Sequence, residues 1–253
     1  MSNIFVGVIS NKKNLHKLKP LCNYYEKNNI NFKIFTGSND STLSKHIVNL
    51  NCEDDYLNLK FKVKKALTYA FEKYNFDYFL KIDDDSFLDI TALKKLDLKK
   101  CDYAGIVSSF KKHLKFLENS QHYYMKKAKN KSINFSHYSK FSKNFEYAVG
   151  AGYFLSKKAV LRVIETFSKY STPFYQEDMT IGYINYMNNI SPLNIGASKK
   201  HSFFDTAKNG LIIHPINFLL HKKIFSECST KERKIILNKF INLNPYYNSS
   251  IIK

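Results

Sequence analysis

The chain contains no tryptophan, and only two of its basic residues, Arg162 and Arg233, are arginine. The second shortage bears on function. Readers of nucleic-acid bases and phosphates favour Arg for its planar fork of donors. The formal net charge of +19 therefore rests on lysine, and the lysines are scattered rather than gathered in one stripe. Two readings of that charge stay open. One is attraction to an anionic partner: nucleic acid, a membrane surface or a phosphate-bearing substrate. The other is an AT-rich gene, which also accounts for abundant Lys, Asn, Ile, Tyr and Phe. No specific nucleic-acid partner is expected, and at most peripheral contact with a membrane.

The four cysteines, Cys22, Cys52, Cys101 and Cys228, include no CxxC pair, which argues against a zinc site. Free thiols in a reducing compartment are the simpler expectation. Long apolar runs are missing too. The first, Ile4 to Ile9, is far too short for a signal-peptide core or a spanning helix, so a cytoplasmic protein is expected. No Walker motif, GxSxG elbow or HExxH is present. GxG occurs only as Gly150-Ala151-Gly152, without a dinucleotide fingerprint around it.

What remains is a globular composition over 253 residues, with 44% hydrophobic and 24% charged residues. That length suffices for one large α/β domain with a sizeable core. Strands are predicted at 4–9, 31–36, 76–82, 103–109, 147–156 and 211–213. Helices are predicted at 15–28, 57–74, 89–96, 157–169 and 177–187, with a basic helix near 231–240. The strongest is 57–74, where Leu59, Val63, Ala66, Leu67 and Ala70 recur at helical spacing; Asp54 and Asp55 could cap it. Alternation of strands and helices implies a mostly parallel sheet with helices on its faces. Residues 111–144 are rich in Lys, Ser, Asn, His and Tyr and read as a long excursion with a short helix and a hairpin.

Three clusters carry candidate chemistry. Asp83, Asp84 and Asp85 end an apolar strand. Carboxylates so close raise each other's pKa unless a cation sits among them, and hard oxygens suit Mg²⁺ or Mn²⁺. A solvated turn or a cap before Asp89 is the competing reading. Glu177-Asp178 opens a helix, where acids favour the dipole; either could also be a general base. His214, between Ile213 and Pro215, and His201 could each be a metal ligand or ordinary histidines. No context recommends His16, His46, His113, His122, His137 or His221.

In order and spacing these segments resemble the β-1,3-glycosyltransferases of glycosyltransferase family 31, the Fringe-like enzymes included. Asp55-Tyr56 with Asn58-Leu59 and Lys62 is similar to the family's D-x-Y-x-N-L-T-x-K-T. FDYFLKIDDDSFLDI resembles Y-x-x-K-x-D-D-D-x-F-V, and YAGIV the strand that follows. YAVGAGYFLSKKAV resembles Y-x-x-G-x-G-Y-x-x-S, QEDMTIGY the E-D-V-x-x-G segment, and LIIHP the late His. Lys60 and Val63 stand where the first pattern has Thr.

The resemblance implies a single GT-A domain. Residues of about 1–110 would bind the nucleotide sugar, about 111–225 the acceptor, and 226–253 would be a basic helical tail. It further implies a nucleotide-diphosphate sugar donor, usually UDP-linked, Mn²⁺ or Mg²⁺, and inversion at the anomeric carbon. Asp85 and Asp83 would hold metal and donor, with Asp84 part of the motif and Lys62 a donor-side contact. His214, or else His201, would complete the metal site. Asp178 would be the base and Glu177 its neighbour, while Gly150, Gly152 and Tyr153 would line the pocket. The acceptor would be a glycan on a glycoprotein or glycolipid. The chain would act in the cytosol, as a viral or bacterial relative might, or be a Golgi-type catalytic domain without its anchor. A non-catalytic sugar-nucleotide or glycan-binding relative is the alternative.

Overall fold

In the computed structural model, residues 2–37, 45–98, 101–119, 141–170, 172–195 and 212–213 are described, with Met125, Ala128, Phe135 and Tyr138. The strands are β1 (Ile4–Ile9), β2 (Asn31–Thr36), β3 (Ile47–Asn49), β4 (Tyr78–Asp83), β5 (Phe87–Leu88), β6 (Tyr103–Ser109), β7 (Glu146–Ser156), β8 (Leu193–Asn194) and β9 (Ile212–Ile213). The helices are α1 (Lys19–Lys27), α2 (Leu59–Lys73), α3 (Ile90–Leu93), α4 (Phe110–Asn119), α5 (Lys157–Lys169) and α6 (Glu177–Met187).

Seven strands form the main sheet in the order β3-β2-β1-β4-β7-β6-β8. The β1–β2, β2–β3, β1–β4 and β6–β8 pairs are parallel. Only β7 runs against its neighbours, β4 and β6. The sheet is thus mostly parallel, as the alternation of elements predicted. The separate β5–β9 pair is antiparallel.

Alternation along the strands divides the core. Val6, Val8, Leu80 and Ile82 face one layer with Leu21 and Tyr25 of α1. Phe5, Phe79 and Tyr153 face the other, under Val63 and Leu67 of α2, Val160 and Val163 of α5, and Ile181 and Ile184 of α6. Period-two geometry puts Lys81 on that second face, beside Phe79. Gly7 leaves room there for the Phe79 ring, which a Cβ would strike. A third cluster, largely aromatic, gathers Phe110, Tyr138, Phe145, Tyr147, Phe174 and Met179.

Local chemistry moves several predicted boundaries. The helix expected over 15–28 is split into a 3-10 turn, Lys12–Lys17, and α1. Pro20 sits in the first turn of α1, where its missing N–H costs nothing. The helix expected over 89–96 shrinks to one turn capped by Asp89, which accepts from the Thr91 and Ala92 amides. α2 begins after Asn58. Asp55 accepts the Asn58 amide at 2.9 Å, one turn ahead of the helix, and Asp54 is used elsewhere. Ser156 caps α5 through the Ala159 amide. Cys22, Cys52 and Cys101 are free thiols. Among the described residues, no helix is long and apolar enough to cross a membrane. The predicted tail helix and Cys228 lie outside the described residues.

Candidate active site at the carboxyl edge of the sheet

β1 and β4 lie in parallel register with Ile9 opposite Asp83. The three aspartates therefore emerge at the carboxyl edge of the parallel strands, where open α/β sheets bind ligands. The structure separates their surroundings. Asp83, the last residue of β4, is part-exposed and its Oδ1 receives the Lys81 ammonium at 2.6 Å. Asp84 is buried. Its Oδ2 accepts from Ser10 Oγ at 2.6 Å and from Asn14 Nδ2 at 3.0 Å. Burial lifts its pKa to about 6, against the two hydrogen bonds and with the help of Asp85 and Asp83. Asp85 follows in the turn and is part-exposed.

Across the β4–β7 ladder, Lys81 pairs with Tyr153 and Ile82 with Gly152. This brings Gly150, Gly152 and Tyr153 against the end of β4. Lys81 is 1% exposed. Its Nζ donates to Asp83 Oδ1 and to the Gly150 carbonyl, and stands 3.5 Å from Glu177 Oε2. Burial alone would lower its pKa; Asp83, Glu177 and Asp178 outweigh that and raise it, so the ammonium is charged.

Glu177 is equally enclosed. Burial pushes its carboxyl up to about 7; Lys81 opposes this, the Asp178 charge adds to it, and the Tyr153 hydroxyl, which donates to Glu177 Oε1, lowers it. Burial keeps the Tyr153 phenol far above its ordinary pKa, so it stays a donor. Asp178 takes two amides: Gly150 N–H to Oδ2 at 2.9 Å and Met179 N–H to Oδ1 at 2.8 Å. It thus serves the helix start as the dipole argument expects, yet each carboxylate oxygen keeps a further lone pair. Gly182 lets α6 press on β7 at Tyr147, which holds Asp178 over Gly150.

Lys62 stands at the same edge, but its ammonium is committed. It pairs with Asp54 Oδ1 and donates to the Ser10 carbonyl at 2.9 Å. Asp54 also accepts the Lys12 amide at 2.8 Å and the Gly37 amide at 3.2 Å. The pair clamps the ends of β1 and β2 to the segment before α2.

His214 and His201 lie outside the described residues. Among those described, no group of three His, Cys, Asp or Glu side chains gathers as a metal site. Asp83 and Asp85 supply hard oxygen donors that fit Mg²⁺ or Mn²⁺. Lys81 stands at the lysine of the Y-x-x-K-x-D-D-D pattern, but sequence alone assigns it no role; the structure gives it partners on β4, β7 and α6. His113 of α4 stands in no motif and packs nearby. Its ring meets Tyr147 edge-on at 6.0 Å, and burial lowers its pKa while the Asp178 charge raises it.

A family model described as galactosyltransferase matches residues 31–195, well over half of the 253 residues. The chain belongs to the galactosyltransferase family. It is a glycosyltransferase, in line with the resemblance to family 31. The matched span contains Asp83–Asp85, Gly150–Tyr153 and Glu177–Asp178. The α/β sheet with its carboxyl-edge site agrees with the GT-A architecture expected of this galactosyltransferase-family member.

No curated protein sequence matches it. Among solved structures, it is similar to a glycosyltransferase involved in the glycosylation of the major capsid of PBCV-1. The identity is 12%, with 94% of this chain and 99% of that one covered, at a TM-score of 0.43. It is similar to the glycosyltransferase GlyE of Streptococcus pneumoniae TIGR4 at 14% identity, 96% and 64% coverage and a TM-score of 0.45. The corresponding values for the galactosyltransferase LgtC, solved with donor and acceptor sugar analogs, are 12%, 90% and 99%, and 0.45.

Proposed function

We propose that this enzyme transfers a hexose or N-acetylhexosamine from a UDP-linked donor to a hydroxyl of a glycan or glycoconjugate, with inversion and a β-1,3 linkage. Asp178 is the general base. It removes the proton from the acceptor hydroxyl as that oxygen attacks the anomeric carbon and the nucleoside diphosphate leaves. Inversion follows from attack opposite the leaving group. Glu177 stands behind Asp178 as a buried neighbour. Gly150 is part-exposed between base and donor edge, while Gly152 and the fully buried Tyr153 back it from beneath rather than lining the pocket.

Asp83 and Asp85 would hold Mn²⁺ or Mg²⁺, with His214 or His201 as a further ligand. A divalent cation there would neutralise charge on the departing diphosphate. Asp84 keeps the end of β4 in place from the buried side, and Lys62 supports the donor side through its clamp with Asp54.

The observation that carries this reading is the seating of Asp178. Its Oδ2 lies 2.9 Å from the Gly150 amide, on the strand whose register brings Gly152 opposite Ile82, one residue before the aspartate run. The family match supports sugar transfer as the chemistry performed there. The test is Asp178→Asn, assayed for transfer from UDP-sugars. Loss of a general base lowers kcat roughly 10²–10⁴-fold, with binding of UDP retained. Unchanged function in Asp178→Asn favours a sugar-nucleotide or glycan-binding protein instead.

A further inference from the structure

A lysine buried among aromatic and aliphatic side chains is costly unless every donor finds a partner. Lys81 has three ammonium hydrogens and three partners: Asp83 Oδ1 at 2.6 Å, the Gly150 carbonyl, and Glu177 Oε2 at 3.5 Å. They come from the end of β4, from β7 and from the first turn of α6. Lys81 thus ties together all three elements of the site.

Gly150 is the junction. Its carbonyl takes Lys81, and its N–H is donated to Asp178 Oδ2 at 2.9 Å. The two groups flank one α-carbon, and glycine leaves that α-carbon unusually free to rotate. Holding the carbonyl therefore fixes the direction of the amide that seats the carboxylate. A side chain at 150 would intrude on the same contact, because an added Cβ lies 3.3 Å from Asp178 Oδ2 and 3.6 Å from its Cβ.

We infer that Lys81 is a positioning residue: by clamping the Gly150 carbonyl between the Asp83 and Glu177 carboxylates, it sets where Asp178 stands relative to the donor edge. This rests on Asp178 acting as the base. Lys81 is buried, so it acts through this peptide and not on the substrates directly.

The experiment is a double-mutant cycle on the full chain, with Lys81→Met, Gly150→Ala and the pair, read as kcat and donor KM beside a thermal melt. Gly150→Ala leaves the Asp83 contact in place and shifts only the carboxylate by a few tenths of an ångström. It is expected to lower kcat about tenfold or more, since small misplacements of reacting groups are expensive, while donor KM stays within about twofold. Lys81→Met is expected to lower kcat about 100-fold. Both act through one peptide, so the pair should be no slower than the slower single variant. Losses that multiply overturn the inference, as does a Gly150→Ala enzyme with wild-type kcat. The second result stands even where Lys81→Met does not fold. A wild-type chain with no nucleotide-sugar transfer fails earlier, at the proposed chemistry, and takes this inference with it.

Discussion

Ser10 donates its hydroxyl to Asp84 at 2.6 Å, and with the Asp84 amide on the Ile9 carbonyl at 3.2 Å this bond joins the ends of the two central parallel strands. Of three adjacent aspartates, the middle one is turned inward and is used to close β1 against β4. Ser10→Ala removes the shorter of the two hydrogen bonds to the buried Asp84 Oδ2, leaving Asn14 Nδ2 alone on it, and should cost about 1–3 kcal/mol, measured by denaturant unfolding. A loss of donor affinity without loss of stability contradicts this placement.

The Lys62–Asp54 pair gives a parallel prediction at the other side of β1. Lys62 is 3% exposed, so removing its partner leaves a buried charge. Asp54→Ala should destabilise the fold by about 3 kcal/mol or more, and Lys62→Met comparably, seen as a fall in melting temperature. If Lys62 mainly touches the donor, Lys62→Met will instead raise donor KM at an unchanged melting temperature.

Glu177 predicts a pH dependence of stability. Its carboxyl is raised from 4.5 in the reference state to about 7 in the fold. The folded state therefore holds a proton that the unfolded state has released, and stability from this group falls as pH rises from about 4.5 to 7. Glu177→Gln lacks that term. The melting temperature of the wild type minus that of the variant should drop across this window and level off above it. A difference that grows with pH contradicts the burial argument.

Gly182 is required by packing. A Cβ there would strike the Tyr147 side chain and lie 3.0 Å from Tyr147 Cα, and backbone cannot yield as a flexible side chain does. Gly182→Ala should displace α6 from β7, lowering melting temperature and kcat together, because Asp178 rides on that helix. An unchanged melting temperature would show that the helix seats elsewhere.

Much of the fold was legible because hydrophobic period and turn residues speak directly. β1, β2, α2, β6, α5 and α6 lie within a residue or two of the pattern-based ranges. Strand direction is another matter. Nothing in YAVGAGYFLS states that β7 runs against β4, and that reversal is what puts Gly150 rather than Ser156 at the carboxyl edge of β4. β3 and β8 are too short, at three and two residues, to generate a period. At the site, the acidic runs were visible as charge at strand and helix ends. Lys81 was legible as the lysine of the family pattern but not as a clamp, because its three partners come from β4, β7 and α6 and only the structure brings them together. Lys62 and Asp54 were visible as residues, but their mutual commitment depends on a contact across eight positions that sequence spacing does not reveal. Ser10 carried no signal at all; its role comes from the parallel register of β1 with β4.

The most direct test of the central claim is a panel of nucleotide sugars assayed for transfer or slow hydrolysis, with Mn²⁺ or Mg²⁺ and with excess chelator, on wild type and Asp85→Ala. The account predicts turnover of a UDP-sugar that requires the divalent cation and collapses in Asp85→Ala, while that variant keeps its melting temperature. Full turnover in excess chelator, or an Asp85→Ala enzyme as active as the wild type, would contradict it.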